Sequence, residues 1–229
     1  MNLFKIDRCP ETPASLEIEK KKKNGKYNRA DVLEQLKKDS YGKCYICEIK
    51  VSDPEVEHRL PHYDGRFPDR KFDWNNLFLS SRHCNSVKEK SRYAEGIIDC
   101  CVMDPETVID HELREDCVCV TAFKDDEAVL LTAELINEVF NSRKSGTLCY
   151  ASEFRMNRLQ ETMNNLYCIL DEYYNDMDDQ FLSDTIIVMI SRDTEFSVFT
   201  RGHIRRNKEL FVEFYRVCFG EVDQTTGYF

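Results

Sequence analysis

Asp73-Trp74-Asn75-Asn76-Leu77-Phe78-Leu79-Ser80-Ser81-Arg82-His83-Cys84-Asn85-Ser86-Val87-Lys88 is the stretch on which the reading of this chain turns. The run Leu77-Phe78-Leu79 is a brief apolar segment between polar ones, and a helix is expected to open after it, from Asn85 to Tyr93. Cys84 stands 37 residues after Cys47, which with Cys44 forms Cys44-Tyr45-Ile46-Cys47. Two cysteines separated by two residues can grip one tetrahedral metal ion from a tight turn, and Cys84 would bring a third sulfur. A second such pair ending at Cys84 would begin at position 81, which is Ser81, a poor zinc ligand. Adjacent residues do not easily face one ion, so His83 is the expected fourth ligand only narrowly ahead of a site with no protein fourth ligand or a site lost altogether. A redox role for Cys44 and Cys47 would call for a helix start inside a βαβ pattern, and none surrounds them.

Between the cysteine elements lies Glu57-His58-Arg59-Leu60-Pro61. Histidine exchanges protons near neutrality and a neighbouring carboxylate offers hard oxygen to a divalent ion. An isolated Glu-His pair would be surface decoration. Here Asn76 follows 18 residues after His58, and Asn85 directly follows Cys84.

In that order the elements resemble the HNH endonuclease motif, with Ser81 as the departure. Cys44 to Glu48, Glu57-His58-x-x-Pro61, Cys84-Asn85-Ser86-x-Lys88 and the later Asp104-Pro105 are similar to the PtuB family, the HNH subunits of bacterial Septu antiphage systems, some of them retron-associated. The resemblance is strong to Pro105 and only generally helical beyond. It implies an α+β fold, a small zinc-stabilised ββα-metal core embedded in a mainly α-helical chain. It also implies an enzyme that hydrolyses phosphodiester bonds, with His58 as general base and Asn76 holding the loop that bears it. Glu57 and Asn85 would position Mg²⁺ or Mn²⁺, while Arg59, Arg82 and Lys88 would contact phosphates. Cys44, Cys47, Cys84 and His83 would hold a structural Zn²⁺. The implied partners are nucleic acid (DNA first, RNA such as tRNA as the alternative), a PtuA-like ABC/SMC-type ATPase and, in retron versions, a reverse transcriptase with its RNA/DNA. An inactive zinc-binding interaction module would account for the cysteines but not for Glu57, His58, Asn76 and Asn85 in this order.

The whole chain fits a folded protein with no apolar run near the roughly 18 residues that span a bilayer. Asp7 stands where a signal peptide would carry its apolar core, so a cytoplasmic protein with reduced cysteines is expected, mostly as small packing residues. The net charge of −10 is unevenly spread. Residues 1–95 carry 20 Lys+Arg against 16 Asp+Glu, a balance of +4, and residues 96–229 carry 12 against 26, a balance of −14. A nucleic-acid site needs local positive potential, so the second half reads as a region that docks on a partner. Three segments are expected: 1–43 with a basic loop at Lys20–Lys26 and a helix at Ala30–Asp39, 44–95 as the nuclease unit, and 96–229 as an acidic helical region. Within the last, helices are expected at Ala133–Phe140 capped by Thr132, at Ser152–Tyr174, and near 180–190 and 207–218. Cys117-Val118-Cys119 has the period-two spacing of a strand.

Overall fold

A computed structural model describes residues 4–88, 91–141 and 147–220, a mixture of helices with two small antiparallel sheets. Helix α1 (Ala14–Lys20) packs beside α2 (Ala30–Asp39), which has the expected bounds. Leu16, Val32 and Leu36 turn inward to join Val56, Phe72, Trp74, Leu77 and Leu79 in a satellite core. The Asp31 carboxylate ties the two helices by accepting from the Ser15 amide and hydroxyl. The sequence signal for α1 is weak, because only Leu16 is a buried apolar residue while Ile18 is exposed. The basic loop between them is organised by Glu19, which accepts from Lys22, the Lys26 amide and Arg29. Gly25 is needed there, since a Cβ would sit 1.9 Å from the Glu19 carbonyl oxygen.

Strand β1 (Glu55–His58) pairs antiparallel with β2 (Leu77–Ser80), placing Glu57 opposite Phe78 and His58 opposite Leu77. The connection carries a short helix α3 (Pro68–Lys71), and α4 (Arg82–Val87) follows β2 directly. The helix expected from Asn85 thus begins three residues earlier and stops at Val87. Ser81 supplies the reason: its Oγ accepts from the Cys84 amide 3.3 Å away and caps the helix start. Glu89 and Lys90, in the expected continuation, lie outside the described residues.

A second hairpin, β3 (Ile109–Arg114) with β4 (Cys117–Ala122), precedes α5 (Glu127–Asn141). Cys117 and Cys119 share the outer face of β4, while Val118 and Val120 turn inward. Cys117 and Cys168 are exposed, so the packing role expected of the scattered cysteines does not extend to them. Thr132 is not a cap. It sits inside α5, donates to the Ala128 carbonyl and accepts from the Ile98 amide, while Asp126 caps the helix through the Val129 amide. Asn137 and Asn141, on one face of α5, each exchange hydrogen bonds with β4: Asn141 with both polar groups of Val118, Asn137 with both of Val120. Four residues of helix rise about 6 Å and two of strand about 7 Å, so the two amides keep step with the strand. Helices α6 (Thr147–Asn175), α7 (Gln180–Met189), α8 (Ser197–Arg206) and α9 (Val212–Phe219) complete the order. The expected 207–218 helix is thus α9, begun later, and α8 had no expectation attached.

The boundaries at 43 and 95 do not divide the interior. One core joins Phe4, Tyr45, Phe78 and Val87 to Leu135, Phe140, Leu159, Phe199 and Phe214. A fully buried latch crosses the same divide. Lys43 Nζ donates to Glu48 Oε1 at 3.0 Å and to the carbonyls of Arg192 and Thr194. Glu48 in turn accepts from the Ser197 hydroxyl at 2.7 Å and the Val198 amide at 3.2 Å, placing a carboxylate at the start of α8. No helix among the described residues is long and apolar enough to cross a membrane.

Candidate functional site

A cavity of about 510 Å³ opens beside β1, lined by Tyr27, Glu57, His58, His62, Asn85 and Lys88 among others. His58 ends β1, and its Nε2 lies 3.0 Å from the Lys71 carbonyl oxygen. A carbonyl can only accept, so Nε2 carries the proton and Nδ1 is the basic nitrogen of the ring. Burial pushes the His58 pKa from its ordinary 6.5 down to about 4; the Lys71 carbonyl opposes that shift and His62 and Lys88 add to it. The imidazole is neutral at pH 7 and able to take a proton.

Asn76 holds the loop that follows. Its Oδ1 accepts from the Leu60 amide at 2.7 Å, and its Nδ2 donates to the carbonyls of Leu60 and Arg70, both at 2.9 Å. One buried side chain thus pins both ends of the 60–70 loop and thereby places Lys71 against His58. The other expected residues are arranged differently. Glu57 is buried with one oxygen on the Tyr45 hydroxyl and the other on Lys88 Nζ at 2.6 Å. Asn85 donates to Glu55, not Glu57, at 2.7 Å. Both line the cavity, but the carboxylate meant for a divalent ion is already balanced by a cation.

The phosphate-contact residues divide likewise. Arg82 is well exposed and pairs with Glu55. Arg59 is tied to the Ile97 carbonyl and to Asp99. Lys88 is buried and donates to Glu57 and the His58 carbonyl, so its expected contact with an external phosphate is replaced by an internal one. Sequence reasoning missed Tyr27 and His62, whose rings lie 4.4 and 4.5 Å from that of His58. The separation of four between His58 and His62 was the only available signal, and Tyr27 had none because it arrives from the basic loop. No family model and no curated protein matches this chain.

A second cluster lies in the interior. The sulfurs of Cys44, Cys47 and Cys84 lie within 4.8 Å of one another, all buried, and could hold a metal ion. They are the only such grouping of His, Cys, Asp and Glu among the described residues. Burial would raise the Cys44 thiol, but hydrogen bonds from Cys47, Cys84 and the Ser81 backbone outweigh it and hold Cys44 well below the usual thiol range. Burial first, then Cys44 itself, push Cys47 and Cys84 up. Three mutually facing sulfurs in a dry site fit a structural zinc. His83 does not join them: its Nε2 is 3.2 Å from the Val139 carbonyl and 3.4 Å from the Ser152 hydroxyl. The expected fourth ligand is thereby corrected, for the reason the adjacency to Cys84 suggested.

The thiol cluster can be tested directly. Cys84→Ser should cost stoichiometric zinc and lower the melting temperature, because a structural site contributes folding free energy. Equal zinc content and an unchanged melt, by elemental analysis and calorimetry, would remove the metal from these thiols. A second prediction concerns pH. Burial lowers both His58 and His203 to about 4, with Arg206 adding to the effect at His203. Between pH 6.5 and 4 the unfolded chain binds protons at these rings that the folded chain does not. Stability is therefore unaffected by them above 6.5 and falls as pH drops toward 4. The melting temperature should decline from pH 6.5 to 5, above the main carboxylate range, and a His58→Gln/His203→Gln double variant should reduce that slope, leaving the part due to His83, which burial lowers in the same direction. An unchanged slope would refute the assignment.

Proposed function

We propose that the chain is an HNH-type nuclease and that β1, β2 and α4 form its ββα-metal core. The observation carrying this reading is the His58–Lys71–Asn76 arrangement: a general base whose tautomer is fixed by a carbonyl, on a loop pinned by an asparagine, beside a polar cavity. In the proposed reaction a phosphodiester enters the cavity and His58 Nδ1 removes a proton from the attacking water; its oxygen bonds to phosphorus as the bond to one sugar oxygen breaks, and that leaving oxygen takes a proton from solvent. Asn85 lines the cavity where a phosphate would approach, and the exposed Arg82 would exchange its Glu55 partner for a flanking phosphate. A hard divalent cation, Mg²⁺ or Mn²⁺, is expected from the resemblance at Glu57 and Asn85. Glu57 as arranged does not fit one, because Lys88 and Tyr45 take both oxygens; no step is assigned through it. The thiol cluster would carry zinc as a structural ion, and the partners would be a PtuA-like ATPase and, in a retron setting, a reverse transcriptase.

DNA is the first substrate class and RNA the second, since the same proton transfer serves either backbone. The balance of −14 over residues 96–229 disfavours unaided binding of a polyanion, so the ATPase complex is the active form in this reading. Tyr174 and Phe181 are exposed beside acidic residues and suit such docking, whereas Tyr173 is buried against Phe214. The deciding experiment incubates the full chain, alone and with the ATPase, with plasmid DNA, tRNA and total RNA in Mg²⁺ and Mn²⁺. Cleavage that depends on His58 supports the proposal. Zinc bound without cleavage of any substrate would favour the second reading, an inactive zinc-binding interaction module, to which the occupied Glu57 carboxylate lends support.

A further inference from the structure

Among the described residues no fourth His, Cys, Asp or Glu joins the three thiols. Arg155 reaches the cluster from α6 and is buried, with about 7% of its surface exposed. Its Nη2 donates to Ser81 Oγ at 2.9 Å and its Nη1 to the Ala151 carbonyl at 2.7 Å. Burial would lower the Arg155 pKa, but the neighbouring Cys47, Cys84 and Cys44 sulfurs outweigh it and raise it. Its Nε is buried with no hydrogen-bond partner. Ser81 is the position where a four-cysteine site would have its last sulfur, and here its hydroxyl both caps α4 and anchors the arginine.

We propose that Arg155, held by Ser81, is the counter-cation that balances the charge of the Cys44–Cys47–Cys84 metal centre. Charge accounts for the choice. Three thiolates around a divalent ion leave a net charge of −1, and a buried uncompensated charge is expensive. A guanidinium is always protonated, planar and weakly hydrated, so it balances that charge in a dry interior where a lysine would lose more solvation. Ser81 adds no charge, and so a neutral centre results; a cysteine at position 81 would make it −2 before Arg155 is counted. Because Arg155 belongs to α6 and the thiols flank β1 and β2, metal binding and docking of the helical half become one event.

The proposal rests on the reading that these thiols hold zinc, and the test separates the two. The full chain, Arg155→Met, Arg155→Lys and Ser81→Ala are titrated with Zn²⁺ against a chromophoric chelator, and with Co²⁺ for its visible spectrum. Expected are one zinc per wild-type chain and an affinity lower by roughly 10- to 100-fold in Arg155→Met, the usual cost of losing an outer-sphere partner. Arg155→Lys should recover part of the loss, and Ser81→Ala, which keeps the charge but removes its anchor, should fall between. The cobalt–thiolate bands should shift in Arg155→Met, since a bystander's loss would leave the sulfur field unchanged. Equal affinities and identical spectra across the series overturn the role of Arg155 while leaving the metal site standing. No zinc or cobalt bound by wild type overturns both. Should Arg155→Met not fold, Ser81→Ala and Arg155→Lys carry the same comparison.

Discussion

His58→Ala should leave the fold intact and, under the proposed nuclease reading, reduce cleavage by roughly 10²- to 10⁴-fold, the range for loss of general-base assistance. The side chain makes one hydrogen bond, to the Lys71 carbonyl, and two edge contacts with Tyr27 and His62. Removing it therefore disturbs packing modestly while deleting the basic nitrogen. His58→Gln is the sharper comparison, because its amide can still donate to Lys71 yet has no nitrogen lone pair to accept the proton. Both variants should be equally inactive, with near-normal melting. A turnover within a few-fold of wild type in either variant would take His58 out of the reaction. Since His58 is already neutral at pH 7, its contribution should also be flat from pH 6 to 8, and an acidic limb there must come from another group.

Glu48→Ala should be the most damaging single change to stability, by roughly 3–5 kcal/mol, as expected when one member of a buried ion pair is removed. Lys43 would be left as a cation with no exposed surface, facing only carbonyls and a hydroxyl, over the ring of Phe4. The Ser197 hydroxyl and Val198 amide would lose their acceptor at the start of α8. Glu48 also sits at φ 59°, a left-handed conformation that side chains other than glycine occupy at a cost, so its contacts hold the turn after Cys47 in place. The total stability of a domain is about 5–15 kcal/mol, so the loss is a large share of it. Denaturant melts should show it, and a Lys43→Met/Glu48→Leu double variant should recover much of it by removing both charges. A single variant that melts like wild type would mean the latch is dispensable.

Much of the candidate site was legible because its residues are local in sequence. Cys44 and Cys47 share a turn, Glu57 and His58 a strand, and Asn76 and Cys84 flank the partner strand, so spacing alone brings them together. Legibility ended where contacts are non-local. Arg155 lies 74 residues from Ser81, and nothing in the helical stripe of α6 marks one arginine as inward-facing. Sequence position alone suggests outward roles for Lys88 and Glu57, but burial turns them toward each other, since two opposite charges in a dry site find one another first. The caps went astray for a similar reason: Thr132 and Asn85 resemble starts only until Asp126 and Ser81 offer better-placed oxygens.

The two asparagines of α5 have a consequence for how this molecule meets others. A hairpin of two strands ordinarily leaves an open rim of amides and carbonyls, to which a foreign strand can add. On β4, Asn137 and Asn141 occupy that rim at Val118 and Val120 and act as a counterfeit neighbour made of side chains. Recruitment by strand exchange, and the self-templating that leads to fibrils, are thereby closed off at these positions. A foreign strand finds no free backbone at Val118 and Val120, and a mutation as small as Asn141→Leu would reopen the rim at Val118.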